Sequence, residues 1–169
     1  FQKFKHHPMI KEMLEGGKRI SYGARAITEG GYQSIPKLAF PGGLILGCSA
    51  GLVNVPRIKG NHNAMLSGIT AAEIACKAIK EGFQNTELKE YDKEIKDGKV
   101  GSDLKPVKNV KPIWSRFGLL ASLIIGGIDM WIANLSGINI FGSLKHGKSD
   151  AKSTKPAKNF KEIEYPKPD

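Results

Sequence analysis

An apolar stretch at residues 114–141 limits most strongly how this chain of 169 residues can fold. Residues 117–128 carry no charge, and Asp129 then interrupts the run. The uncharged part is shorter than the roughly 20 residues that span a hydrocarbon core, which argues against a crossing helix. Trp114 and Trp131 are amphipathic rings of the kind that settle at a membrane surface. The stretch predicts a re-entrant or surface-lying segment, and a buried core helix of a soluble domain is the alternative.

The residues predicted to contact lipid are the large apolar side chains of this stretch. They are Trp114, Phe117, Leu119, Leu120, Leu123, Ile124, Ile125, Ile128 and Trp131. For Asp129, a capping or interfacial carboxylate is favoured over a proton relay to a quinone.

The formal net charge of +10 raises the question of an anionic partner. The lysines are densest on both sides of the apolar stretch, at positions 105, 108 and 111 and again at 145, 148, 152 and 155. No helix-turn-helix, zinc-finger or aromatic RNA-binding pattern is visible, which argues against nucleic acid. A basic rim around an apolar patch instead favours the negative surface of a bilayer.

Metal sites and disulfides find little support in the sequence. Cys48 and Cys76 lie far apart, so they indicate ordinary thiols and cannot supply the four ligands of an iron–sulfur cluster. His6 and His7 are adjacent and point differently, and His62 has no neighbouring carboxylate or thiolate in the sequence. We therefore expect no metal site in this chain.

Periodicity predicts a mixture of helices and short strands. A short helix is expected at residues 7–15, a strand followed by a loop at 19–26, and a buried strand of an α/β sheet at 44–48. A longer helix is expected at residues 61–82 and a charged one at 85–99, after which Pro106 and Pro112 should break the chain. The packed face predicted for the longer helix consists of Ala64, Met65, Gly68, Ile69, Ala72, Ala75, Cys76 and Ile79.

The segment at residues 42–68 is the one most suggestive of chemistry, and it reads GGLILGCSAGLVNVPRIKGNHNAMLSG. A strand, a glycine-bearing turn and a helix start would aim several backbone amides and a helix dipole at one point. Gly47 and Gly51 let the backbone approach a ligand, and Ser49 and Asn54 offer hydrogen bonds to sugar-like oxygens. Most turns of this kind bind nothing, so the pattern alone leaves the ligand open.

The chain resembles the electron transfer flavoprotein–ubiquinone oxidoreductase family over nearly its whole length. The resemblance is carried by residues 16–68 and continues through KNVKPIWSRFG, GGIDMW, FGSLKHGKSD and IEYPKPD. It implies an α/β (α+β mixed) fragment, part of a Rossmann-like FAD-binding domain with a monotopic, membrane-associated apolar segment. Residues 1–100 would complete the FAD-binding domain, 101–145 would contact the membrane, and 146–169 would lead to a missing iron–sulfur domain.

The resemblance also implies a flavin site. Cys48 stands where the wider FAD superfamily usually has a ribityl-binding Asp, so its backbone is expected to serve in place of its side chain. Residues 47–51 would follow the ribityl and pyrophosphate groups, and the amides of residues 61–64 would approach the pyrimidine end of the isoalloxazine. The predicted FAD-binding residues are Gly47, Cys48, Ser49, Gly51, Asn54, Gly60, Asn61, His62, Asn63 and Ala64.

Members of this family take electrons from reduced electron transfer flavoprotein, pass them through FAD and a [4Fe–4S] cluster, and reduce ubiquinone at an inner mitochondrial or bacterial cytoplasmic membrane. The resemblance thus implies those partners and a lipid surface, with no catalytic acid or base in this chain. The cluster ligands and the opening G-x-G-x-x-G turn are expected elsewhere, and the quinone-contacting segment upstream of Phe1. A geranylgeranyl-reductase-like or monooxygenase-like FAD protein, or a non-catalytic basic module that binds anionic membranes, are the alternatives.

Overall fold

The computed structural model describes residues 1–83 and 85–164 of the chain. Contacts divide the chain into two units: Phe1–Arg25 with Ser149–Asp169, and Ala26–Lys148. The expected linker at residues 146–169 is thus described up to residue 164, and its last five residues lie outside the described part.

The first unit consists of short, exposed helices. Helices α1 and α2 span Gln2–Lys5 and Pro8–Leu14. The predicted helix at 7–15 is therefore confirmed, with Pro8 in its first turn, where a missing amide hydrogen is tolerated. The strand predicted at 19–26 is wrong, since these residues form no regular element.

The second unit contains the sheet and the longer helices. Strands β1 (Ala39–Phe40) and β2 (Gly43–Leu44) pair antiparallel, with Ala39 opposite Leu44. Helices α3, α4, α5 and α6 span Asn61–Lys80, Lys89–Asp97, Lys99–Leu104 and Val110–Ser136. Helix α7, Asp150–Ser153, belongs to the first unit. The described fold is thus mixed, with helices around a two-stranded hairpin.

The strand predicted at residues 44–48 is mostly wrong. Strand β2 ends at Leu44, and Gly47–Ala50 form a 3-10 turn. Gly47 has a φ of +64°, a left-handed conformation that interrupts an extended run and that glycine adopts without strain. The charged helix predicted at 85–99 is instead two shorter helices, α4 and α5, divided at Gly98.

The core lies between the hairpin and the helices α3, α4 and α5. Tyr91 and Ile95 of α4 are fully buried, and the Tyr91 hydroxyl donates a hydrogen bond to the carbonyl of Ile45 at 3.2 Å. Asp92 accepts hydrogen bonds from the amides of Leu38 and Ala39, which fastens β1 to α4. The buried residues of this core are Ile35, Leu38, Ala50, Leu52, Ala71, Ile74, Tyr91, Ile95, Val100 and Leu104.

Helix α3 buries a different face from the one predicted. Its buried residues are Asn63, Ser67, Ala71, Ile74 and Ala78, whereas the predicted Met65, Ile69 and Ile79 are 54–69% exposed. The reason is that polar side chains at the start of α3 are buried through hydrogen bonds, so apolarity did not mark the inner face. The exposed stripe of small and apolar side chains also lines a groove of about 590 Å³ beside the hairpin.

Helix α6 is bent back on itself. Gly118 has non-helical angles (φ 72°, ψ −176°), so α6 consists of a first arm at residues 110–117 and a second arm at 119–136. A Cβ on Gly126 would lie 4.0 Å from Cγ2 of Ile113, although a straight helix would separate residues 13 apart by about 20 Å. The two arms therefore fold back against each other, and we call them together the α6 hairpin.

Pro112 does not break the chain as predicted. It lies in the first turn of α6, where proline removes no intrahelical hydrogen bond. By length and composition alone, Val110–Ser136 is long and apolar enough to cross a membrane. The prediction against crossing, which counted only residues 117–128, therefore does not follow from composition, and the bend at Gly118 is the relevant observation.

Candidate functional site

The turn at Gly47–Ala50 is packed against the beginning of α3. The amide of Gly47 donates a hydrogen bond to Oγ of Ser67 at 3.0 Å, and a Cβ on Gly47 would lie 3.4 Å from that of Ala64. A Cβ on Gly60 would lie 3.4 Å from Sγ of Cys48. The turn and the α3 N-terminus therefore meet at one place, as the sequence predicts.

The first amides of α3 have no side-chain cap. The N-cap is Gly60, which lacks a side chain, and the helix continues for 20 residues behind it. The first amide groups of a helix have no intrahelical acceptor, and the helix dipole makes this end positive. The site therefore presents donors and positive potential, as an anionic or electron-rich ligand requires.

The predicted FAD-binding residues divide into outward-facing and internally bonded ones. Cys48, Ser49 and Asn61 are exposed, and Gly47 and Gly51 are buried with positive φ angles. The side chains of Asn54 and Asn63 are fully buried, and that of His62 is 39% exposed. The side chains of Asn54 and Asn63 are therefore not available to a ligand, and backbone amides are the polar groups that this end of α3 offers.

The internally bonded residues share one partner, Asp103, which the sequence analysis did not single out. Its Oδ2 accepts hydrogen bonds from Nδ2 of Asn54 at 2.9 Å and from Nδ2 of Asn63 at 3.0 Å. Nε2 of His62 lies 3.0 Å from the same oxygen, and Nη1 of Arg57 donates to Oδ1 at 2.9 Å. Asp103 lies 40 or more residues from each of them in sequence, so no local pattern marks it.

The charge of Asp103 follows from these contacts. Burial by itself would raise the pKa of the Asp103 carboxyl, but hydrogen bonds from Asn54, His62 and Asn63 and the charge of Arg57 lower it below its ordinary value. The carboxylate is therefore ionised at neutral pH and can only accept hydrogen bonds. His62 must then carry a hydrogen on Nε2.

The residues present fit a flavin, and the ligands of the [4Fe–4S] cluster are expected elsewhere in the full-length protein. Two converging glycine-bearing segments and an uncapped helix start are suited to the anionic and oxygen-rich parts of FAD. Cys48 and Cys76 are too few for a [4Fe–4S] cluster, and the described residues contain no group of three or more metal-binding side chains. The described residues therefore do not form a binding site for a [4Fe–4S] cluster.

The α6 hairpin exposes its apolar side chains. Leu120, Leu123, Ile124 and Trp131 are 65–79% exposed, while the small or polar Ser122, Gly126, Asp129 and Ala133 are buried. Of the nine predicted lipid-contacting residues, eight are exposed and Ile125 is half-buried. Large apolar side chains thus lie outside and mostly small or polar ones inside, with Ile113 the large apolar exception, and a soluble core helix would instead bury its large apolar side chains.

Basic side chains lie beside the α6 hairpin. The guanidinium of Arg116 donates to the carbonyl of Lys145 at 2.9 Å, and a Cβ on Gly147 would lie 3.9 Å from Oγ of Ser115. Arg116, Lys145 and Lys148 are all exposed. The segment that follows the hairpin thus returns along its first arm and places positive charges near its apolar face.

Comparisons with known proteins bear on the family to which the chain is similar. A family model described as "ETF-QO, ubiquinone-binding" matches residues 1–27. The quinone-contacting segment is expected from the resemblance upstream of Phe1, whereas this match places part of the ubiquinone-binding family region at residues 1–27 of the chain itself.

Curated relatives match the whole chain. The chain is 50% identical over 175 aligned residues to the human mitochondrial electron transfer flavoprotein–ubiquinone oxidoreductase, 49% over 173 to that of Caenorhabditis elegans and 47% over 169 to that of Arabidopsis thaliana. Each alignment covers 100% of the chain but only 26–28% of the relative. The resemblance predicted from the sequence is thereby confirmed: along its entire length, the chain is a relative of one segment of the electron transfer flavoprotein–ubiquinone oxidoreductases.

Proposed function

We propose that this chain supplies the second flavin-binding motif and a membrane-docking hairpin of an electron transfer flavoprotein–ubiquinone oxidoreductase. The whole protein would take electrons from electron transfer flavoprotein and deliver them, through FAD and a [4Fe–4S] cluster, to ubiquinone in the membrane. The observation that carries the proposal is the apposition of Cys48 to Gly60 at the uncapped start of α3. The identity to the relatives over 100% of the chain supports it.

The role of the site residues follows from their geometry. Gly47 keeps the turn close to α3 without a Cβ that would fill the space, and Ser67 holds the amide of Gly47. Gly51 packs instead against Thr28, where a Cβ would lie 3.3 Å from Cγ2. The amides of residues 61–63 and the α3 dipole favour negative charge at this end. FAD, when bound, supplies the electron-carrying ring, whose reduced form is anionic, so this helix start would raise its reduction potential.

The membrane role rests on the α6 hairpin and its basic neighbours. Its exposed apolar face would enter the outer part of the bilayer, and the two arms return to the same side because Gly118 reverses the chain. Arg116, Lys145 and Lys148 would contact anionic headgroups. We propose a monotopic protein on an inner mitochondrial membrane or on a bacterial cytoplasmic membrane. The names of the relatives call those proteins mitochondrial.

The full-length gene product that contains this chain provides the test. We expect it to purify with the absorption bands of an oxidised flavin, and to catalyse reduction of a soluble ubiquinone analogue by reduced electron transfer flavoprotein. A Gly60→Val variant should lose flavin, because its side chain would clash with Val53 and Cys48, while Gly68→Val, at an open position of α3, serves as the matched control. Purification without any flavin would contradict the proposal.

A further inference from the structure

The carboxylate of Asp103 connects the loop that precedes α3 with the first turn of that helix. It reaches Asn54 and Arg57 in the loop that precedes the helix, and His62 and Asn63 in the first turn of the helix itself. Asn54 also forms a bridge with Lys59, its amide donating to the Lys59 carbonyl at 2.9 Å. The loop therefore closes on Asp103 before the chain enters α3.

The Asp103 carboxylate helps to fix the orientation of the Asn63 side-chain amide. Its Nδ2 donates to Asp103 and to the carbonyl of Leu52, and its Oδ1 is buried with no hydrogen-bond partner among the described residues. An unsatisfied buried acceptor is costly. This arrangement persists because both neighbours of Nδ2 are acceptors, so the opposite amide orientation would place oxygen against oxygen.

We propose that Asp103 is a positioning residue of the candidate flavin site, with its carboxylate holding residues 54–63 so that the α3 amides converge on the ligand. The proposal rests on the proposed function and adds a residue that lies far from the flavin motif in sequence. Asp103 would also set the electrostatic balance of this end, because its negative charge opposes the α3 dipole and the charge of Arg57.

Two substitutions in the full-length flavoprotein should shift the midpoint potential of the flavin in opposite directions. Asp103→Asn removes a negative charge, so the midpoint potential of the flavin should become more positive. Arg57→Gln removes a positive charge from an exposed side chain, so the potential should become more negative. Potentials are measured at pH 8.5, above the ordinary titration range of histidine.

Flavin binding gives a second readout. Asp103→Asn exchanges an acceptor for a group with a donor, so the contacts to Asn54 and Asn63 cannot all form, and flavin binding should weaken by about tenfold. Asp97→Asn is the matched control, because it removes the same charge from an exposed side chain whose partner is Lys105. We expect the control to leave both flavin affinity and potential unchanged.

The outcomes separate the two proposals. Wild-type protein that holds no flavin would overturn the proposed function. If the wild type holds flavin, two results would overturn the role of Asp103. In one, Asp103→Asn lowers the melting temperature but changes neither flavin affinity nor midpoint potential. In the other, Asp97→Asn shifts the midpoint potential as much as Asp103→Asn does. Should Asp103→Asn fail to fold, Asp103→Glu decides, because it keeps the charge and displaces the carboxylate by one methylene. Weakened flavin binding in this variant supports the positioning role, and unchanged binding overturns it.

Discussion

Asn109 donates a hydrogen bond from Nδ2 to the buried carboxylate of Asp129 at 3.1 Å, across the bend of the α6 hairpin and 20 residues along the chain. Nδ2 of Asn139 donates to the same oxygen at 2.9 Å, and the amide of Phe141 lies 3.4 Å from the other one. Asp129 thus joins the beginning of the first arm, the second arm and the segment after it. A carboxylate so occupied is a buried structural acceptor inside the second arm, and it is neither the helix cap nor the exposed interfacial group expected from the sequence.

Asp129→Ala should therefore destabilise the full-length protein by about 2–5 kcal/mol, because two buried amides and a backbone amide would lose their acceptor. Denaturant unfolding followed by tryptophan fluorescence measures this change. The control is Asp97→Ala, at an exposed side chain, for which we expect a change below about 0.5 kcal/mol. Equal stability of the two variants would contradict the buried cluster.

The bend at Gly118 leads to a second prediction. Its φ of +72° is strained for any residue with a Cβ, so Gly118→Ala should cost about 1–2 kcal/mol or straighten α6. Gly127→Ala is the control, because Gly127 is helical and its Cβ would meet open space, so alanine should be neutral or stabilising. Thermal unfolding of both variants measures the difference, and an equal or smaller loss for Gly118→Ala would refute the bend.

The sequence predicted some local elements and missed the long-range packing around them, and particular residues show why. The helix at Asn61–Lys80 and its glycine-bearing approach were predictable, since both depend on local signals such as Gly60 and a helical period. The inner face of α3 was not, because Asn63 is buried by its bonds to Asp103 and Leu52, which are long-range. The reversal of the chain within α6 could not be predicted either, since it depends on the backbone angles of one residue, Gly118.

Membrane docking through the hairpin gives a third prediction. Replacing Leu120 and Trp131, which are 79% and 72% exposed, by serine should weaken binding to phosphatidylcholine–phosphatidylglycerol vesicles at least about tenfold, since each loses apolar area. Ile79→Ser, at a comparably exposed residue of α3, is the control. Flotation assays measure the bound fraction.

The salt dependence of the same binding distinguishes two mechanisms. High salt should reduce vesicle binding by screening Arg116, Lys145 and Lys148, yet part of it should persist because the apolar face remains. Complete loss of binding in salt, with no effect of the serine substitutions, would instead favour the purely basic membrane-binding module.

The lowered pKa of Asp103 gives a prediction for stability against pH. A carboxyl whose pKa is lower in the folded than in the unfolded state stabilises the fold above the unfolded value, which is about 3.9 for aspartate. That stabilisation is lost as the pH falls through the folded pKa, because the proton then binds both states. The stability advantage of the wild type over Asp103→Asn should therefore shrink as the pH falls below about 4. Urea unfolding at each pH measures it, and an advantage that does not shrink below about pH 4 would show that the pKa of the Asp103 carboxyl is not lowered by folding.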